Sequence, residues 1–212
     1  MHPDKTAHFF TPAEMEEIRK AVAAAEIGTS GQIAPMIVDA SDSYREALLF
    51  GVLFLSGLLG LIIAILLHHV TIWTYIPLVV ILALPCYLLL RRFPRIKLAF
   101  VGRRRIDEAV RERAVRAFYE KGLYRTRHET GVLIFMSMLE HKVWILGDRG
   151  INEKIRPESW LAMASTLATG IRQEKTCESL CATISSCGKE LAAHFPQAPG
   201  TGINELSDEL RM

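Results

Sequence analysis

The chain has 212 residues and a formal net charge of +2, with half of its residues hydrophobic, 23% charged and 8% aromatic. That length suits one domain, or one domain with an appendage, and so balanced a charge gives no electrostatic case for a nucleic-acid partner. The aliphatic excess is concentrated in one place, which points to a membrane segment inside an otherwise ordinary soluble protein. The opening MHPDKTAHFF has no basic start, apolar centre or small-residue cleavage site, so it does not read as a signal peptide.

In chain order, FFTPAEMEEIRKAVAAAE predicts a helix: Thr11 caps, Pro12 takes the first helical position, and Glu14 completes a capping box. Met15, Ile18, Val22 and Ala25 mark its apolar face. The stretch from Gly28 to Gly31 breaks it, and QIAPMIV reads as a strand ending near Asp39. Residues 48–67, LLFGVLFLSGLLGLIIAILL, carry no charge and are long enough to cross a bilayer. His68 and His69 form a solvated corner, and residues 70–90 make a second span, with Trp73 and Tyr75 at the interface and Pro77 and Pro85 bending it. The short connection makes the two spans a helical hairpin. Ser56, Gly60 and Ala64 form a small-residue stripe whose economical partner is the second span, the other reading being a homo-oligomer contact.

The second span runs into RRFPRIKLAFVGRRR, where Arg91, Arg92, Arg95, Lys97, Arg103, Arg104 and Arg105 stand without an acid among them. Such a cluster is retained on the cytoplasmic face and attracts the anionic headgroups of the lipid bilayer. With two spans, both termini are then cytoplasmic and the protein belongs to the cell's inner membrane. Cytosolic thiols stay reduced, so the four cysteines are not expected to pair.

Beyond the basic belt, Ile106, Val110, Ala114 and Phe118 mark a second helix that stops at Gly122. GVLIFMSM and HKVWIL read as strands joined by a charged corner. Pro157 opens a third helix with Trp160, Met163, Ala164, Leu167 and Ile171 inward, and a fourth carries Cys177, Leu180, Cys181, Ile184, Cys187 and Leu191 on one face. Thiols on an apolar face read as small buried side chains; zinc would need a fourth ligand such as His194 and a polar setting.

Neither soluble segment can build a core alone. Residues 1–47 and 91–200 together give one discontinuous domain with helices on both sides of a small mixed sheet, followed by a tail at 201–212. If the connection from the first strand to the Gly131 strand is the usual right-handed parallel crossover, the strand directions follow. It also places the Leu139–Lys142 corner near the bilayer and Gly147-Asp148-Arg149-Gly150 at the far edge, where Thr29, Ser30, His128, Glu129 and Thr130 gather.

TGVLIFMSMLEHKVWILGDRGI, followed by the helix with Trp160, resembles the core of the TPM domain, a group named for thylakoid, photosystem-repair and acetylcholine-receptor-associated members. The opening FFTPAEMEEIRKAVAAAEIGTSGQI resembles that family's first helix and strand. HFPQAPGTGINELSDEL resembles the tail of a short bacterial branch that carries a membrane hairpin inside the domain. The resemblance implies an α/β fold, a three-layer α/β/α sandwich around a small mixed sheet, interrupted by a two-helix transmembrane hairpin. It implies no single activity, since some members are acid phosphatases or calcium binders and most have no known activity.

The candidate site is the far edge. Asp148 and Glu129 are placed to hold Ca2+ or Mg2+ through carboxylate oxygens, with Arg149 or His128 meeting a phosphate and Ser30 on the same edge. The competing reading makes Asp148 a turn residue bonded to nearby backbone amides. No nucleophile stands in an activating context and no Gly-rich loop opens a helix to cradle phosphate. The expectation is therefore a non-catalytic binding or accessory module for membrane-protein assembly or maintenance, acting on an unknown membrane or cytosolic protein. The alternative is a divalent-metal-assisted phosphatase. Two spans without intramembrane charge do not support transport.

Overall fold

The computed structural model describes residues 9–68, 71–126 and 129–196; His69, His128 and the tail at 201–212 lie outside them. In chain order the elements are α1 (Pro12–Glu26), β1 (Gln32–Val38), α2 (Arg45–Leu66), α3 (Ile72–Arg92), α4 (Pro94–Leu98), α5 (Arg103–Glu120), β2 (Gly131–Ser137), β3 (Lys142–Gly147), α6 (Arg149–Asn152), α7 (Pro157–Arg172) and α8 (Thr176–His194). The protein is mostly helical with one small mixed sheet, which is compatible with an α/β fold. It divides into two compact units, one built from Met1–Ser41 with Ala109–Met212 and the other from Asp42–Glu108.

In the first unit, the sheet order is β1-β2-β3. β1 and β2 pair in parallel from Gln32↔Gly131 to Val38↔Ser137, and β2 and β3 pair antiparallel from Val132↔Gly147 to Ser137↔Lys142. The parallel pairing agrees with the expected crossover, in which the intervening helices return the chain to the same end of the sheet. β2 is buried at every residue, so it has no solvent face, and its sequence GVLIFMS is accordingly apolar without alternation. Ile33, Ile37, Val132, Ile134, Met136, Val143 and Ile145 share a core with Ile18 and Val22 of α1, Trp160, Leu167 and Ile171 of α7, and Leu180, Ile184 and Leu191 of α8. The alternate residues Ala34, Met36, Leu133 and Phe135 are equally buried. So are Ala109, Val110, Ala114, Ala117 and Phe118 of α5. Each Val, Leu, Ile, Phe or Met side chain among them contributes roughly 1.5–3 kcal/mol on leaving water.

Local chemistry sets the ends. The Thr11 backbone N–H and hydroxyl both donate to Glu14 Oε2 at 2.8 Å, completing the expected capping box and holding the Glu14 carboxyl below its usual range. At the other end of α1, Glu26 Oε1 accepts the Ile33 N–H at 2.6 Å, tying the helix to β1.

In the second unit, α2 and α3 are long and apolar enough to cross a membrane. Their 22 and 21 residues correspond to about 33 and 32 Å of helix axis. Both are shifted from the apolar runs, 45–66 against 48–67 and 72–92 against 70–90. Intrahelical hydrogen bonding carries on through Arg45-Glu46 and Arg91-Arg92, which cap the apolar stretch with charge. α2 buries Gly51, Val52, Ser56, Gly60 and Ala64. A Cβ on Gly60 would come within 2.9 Å of Val79 Cγ2, and one on Gly51 within 2.9 Å of Leu90 Cδ1. The small-residue stripe is thus where α3 approaches closely, and that face of α2 is already covered within the hairpin. Tyr75 on α3 donates its hydroxyl hydrogen to the Gly57 carbonyl at 3.2 Å. α4 was not expected; Pro94 starts it and it lasts five residues.

The tightest backbone approach in the first unit is at Gly131, where a Cβ would collide with the Leu123 carbonyl oxygen. Gly131→Ala is predicted to destabilise the domain by about 1–3 kcal/mol through backbone displacement. Denaturant unfolding with an unchanged m-value checks this, and a wild-type midpoint contradicts it.

Candidate functional site

The edge predicted to hold the site is the end of the sheet where β2 begins and β3 ends. Three connections are drawn together there. The Gln32 N–H donates to the Thr130 carbonyl at 3.0 Å, and the Thr130 hydroxyl donates to the Ser30 carbonyl at 3.0 Å. The Thr130 N–H in turn donates to the Thr126 hydroxyl oxygen at 2.9 Å. Thr29 and Ser30 donate to the Phe195 carbonyl at 2.7 and 3.0 Å, through the hydroxyl and the backbone N–H respectively. Ser30 is therefore held through its backbone beside Thr130.

Asp148 joins the same edge, because its N–H donates to the Gly131 carbonyl at 2.9 Å. The expected Gly147–Gly150 turn is more ordered than a turn: Gly147 ends β3, Asp148 is the N-cap of α6, and its Oδ1 accepts the Arg149 N–H at 2.7 Å. Asn152 Nδ2 closes the turn by donating to the Gly147 carbonyl at 2.7 Å. Asp148 Oδ2 is enclosed and, among the described residues, has no hydrogen-bond partner. The Arg149 guanidinium is directed to Glu153, at 3.3 Å, in an exposed pair. Glu129 is exposed, with backbone φ of 53° in the left-handed region. His128 lies outside the described residues.

This donor set offers a hard cation little. Asp148 has one oxygen committed to a backbone amide, and the described residues hold no group of three or more His, Cys, Asp or Glu suited to one metal ion. Calcium takes six to eight oxygens, so most would have to come from water and backbone carbonyls.

The opposite end of the sheet holds a polar cluster that the sequence conceals. Glu140 sits in the β2–β3 corner, which the sequence shows only as a charged hairpin turn, and it is 9% exposed. It accepts the Ser41 N–H at 3.0 Å through Oε1 and the Ser137 hydroxyl, closely, through Oε2. The Ser41 hydroxyl donates to Ser137 Oγ at 2.9 Å. Leu139 N–H donates to the Asp39 carbonyl and Met138 N–H to the Val38 carbonyl, at 2.9 and 3.0 Å. The corner is thereby stitched to the end of β1. No local pattern signals this, because Ser41 and Glu140 are 99 positions apart.

All four cysteines are free. Cys187 is buried against Met163, with its Sγ 3.5 Å from the thioether sulfur, and burial pushes its pKa up to about 12. Cys177 and Cys181 are half-buried in a groove between α1 and α8. Burial, then the neighbouring Cys181 and the Glu14 and Glu17 carboxylates, push the Cys177 thiol up to about 12 as well. These are protonated thiols in an acidic setting, the opposite of an activated nucleophile.

Two outcomes are expected. Glu140→Ala strands the Ser41 amide and the Ser137 hydroxyl and is predicted to cost about 1–3 kcal/mol, whereas Arg149→Ala removes only an exposed pair and should cost no more than about 0.5 kcal/mol. Equal losses in denaturant unfolding would sink the buried-clamp assignment. At pH 8, native Cys187 should resist maleimide labelling and become reactive only on unfolding; rapid native labelling would contradict its burial.

No protein-family model and no curated protein matches this chain. In fold it is similar to the BA42 protein from the psychrophilic bacterium Bizionia argentinensis sp. nov., known from an NMR structure, at a TM-score of 0.61 and 19% sequence identity. The match covers 98% of this chain and 97% of that one. At this identity the likeness shows the fold alone.

Proposed function

We propose that the chain is a membrane-anchored domain of the TPM type, set in the inner membrane by α2 and α3 with both termini cytoplasmic, and that it serves as a non-catalytic binding or accessory module in the assembly or maintenance of another membrane protein. In this reading the domain is a three-layer α/β/α sandwich, with α1, α7 and α8 on one face of the sheet and α5 closing the other. The equal burial of Ala34, Met36, Leu133 and Phe135 with α5 residues supports that layering.

The observation that carries the anchor is the outer surface of the hairpin. Leu53, Phe54, Leu66, Trp73, Ile81 and Leu84 are all more than half exposed, an arrangement stable in hydrocarbon and unfavourable in water. Arg91 and Arg92 end α3 and Arg95, Lys97, Arg103, Arg104 and Arg105 follow it, while the connection from Leu67 to Thr71 has no Lys or Arg. That asymmetry supports the cytoplasmic orientation and contact with anionic headgroups.

A binding role is favoured over catalysis because the edge residues are occupied by the fold: Asp148 caps α6, Arg149 pairs with Glu153, and Ser30 and Thr130 brace the strand starts. One observation favours the phosphatase alternative, the enclosed and unpartnered Asp148 Oδ2, which a Ca2+ or Mg2+ ion would satisfy.

Titration of the detergent-solubilised chain separates the two. As a binding module, wild type and Asp148→Ala should hydrolyse no phosphate ester, and neither cation should raise Tm by more than roughly 2 °C. Hydrolysis that requires the metal and vanishes in Asp148→Ala would reverse the assignment. Protease added outside intact cells should leave the domain uncut; cleavage there would refute the sidedness.

A further inference from the structure

Within the Asp42–Glu108 unit, the polar end of the hairpin contains a cavity of about 460 Å³ whose lining includes Arg45, Glu46, Phe50, Phe100 and Arg105. Its two arginines differ. Arg105 is committed to Asp42, at 3.0 Å. Arg45 is exposed and, among the described residues, has neither ion pair nor hydrogen bond, although it stands at the first position of a helix that is otherwise apolar.

The wall of the cavity is fixed. Tyr44 is 5% exposed with φ of 47° in the left-handed region, a conformation that non-glycine residues seldom adopt. Lys97 holds that wall from the α4 side, donating to the Ser43 carbonyl at 2.8 Å with its ammonium 5.7 Å from the Tyr44 ring centre. Phe50 and Phe100 line the apolar side, and Phe54 extends it along the helix beyond the cavity: Phe50 and Phe54 stack at 6.4 Å, and Phe100 meets them edge-on at 6.2 and 5.9 Å. Phe50 and Phe54 are nevertheless 60% and 53% exposed.

We propose that this cavity seats one glycerophospholipid, its phosphodiester on the Arg45 guanidinium and the first carbons of an acyl chain along Phe50 and Phe54. The inference rests on the membrane anchoring proposed above and makes it specific. A cation next to an exposed aromatic surface, where an apolar helix meets its charged end, matches the order of phosphate and acyl chain in a lipid. The charge balance narrows the class. Among the described residues of the lining, Arg105 is paired with Asp42, which leaves Arg45 to meet the ligand and Glu46 to repel a second negative charge on it; a singly charged phosphodiester is therefore favoured over a doubly charged phosphomonoester. The cluster at Arg91–Arg105 then acts more broadly, drawing acidic lipids to the surface without selecting one.

Native mass spectrometry of the full chain, released from detergent micelles doped with defined lipids, tests this. Phosphatidylglycerol or phosphatidylethanolamine should be retained roughly fivefold over a glycosyl diacylglycerol of the same chains, as one charge-assisted hydrogen bond worth about 1 kcal/mol predicts. Arg45→Gln should abolish that preference, and Glu46→Gln should raise retention of phosphatidic acid. Inorganic phosphate should not displace the lipid. Equal retention of the glycolipid, an unchanged preference in Arg45→Gln, or displacement by phosphate would overturn the proposal. A chain that retains no lipid and does not enter bilayers would instead refute the anchoring itself.

Discussion

Everything in the first unit depends on one pairing, the parallel ladder between β1 and β2. Those strands come from segments separated by the whole hairpin, so the ladder cannot form until residues about a hundred positions apart meet. The entropic cost of closing such a loop grows only with the logarithm of its length, and an antiparallel helix pair returns the chain toward its departure point regardless. An insertion of two spans is therefore tolerable at this position. β2 then lies between a parallel and an antiparallel neighbour and is buried along its length, which makes it the strand on which core and topology converge. Helices are required over both faces as a consequence.

The same logic of close approach organises the second unit with different residues. Under the membrane anchoring proposed above, lipid would give no hydrophobic drive for these helices to associate, and contact would depend on how near two backbones can come and on hydrogen bonds between them. Gly51, Ser56, Gly60 and Ala64 remove side chain where Leu90 and Val79 press in, and Tyr75 adds a hydrogen bond to Gly57. With these positions spent inside the hairpin, an oligomer would have to use other faces of α2 and α3, which carry larger side chains.

What was legible in the sequence was what a few neighbouring residues decide. Thr11, Pro12 and Glu14 state a helix start within four positions, and the strands and spans are readable as uninterrupted apolar runs. The parallel direction of β1 and β2 came from taking the helices between them as a usual crossover, an assumption that needs only element order. Short helices escaped: α4 and α6 have five and four residues, too few for periodicity to show, and they exist because Pro94 and Asp148 start them. At the candidate edge, sequence reasoning placed Asp148 and Ser30 near the strand ends, but it could not show that one carboxylate oxygen was already taken by Arg149 or that the Arg149 side chain was directed to Glu153. Glu140 was missed outright, because a glutamate in a hairpin corner carries no local mark of burial.

That glutamate acts within the first unit, at the end of its first strand. Ser41 is the last residue of the first unit before the chain enters the hairpin unit, and Glu140 and Ser137 hold its amide and its hydroxyl. An apolar pair could fill the same volume at similar or lower cost, since buried polar groups seldom add net stability over well-packed hydrocarbon. What hydrocarbon cannot do is fix position. A slip of one residue in β1 would break the bonds to Glu140 and turn every β1 side chain to the wrong face. The cluster thus pins the register of the strand on which the core depends, at the point where an apolar hairpin begins and where packing alone specifies register least.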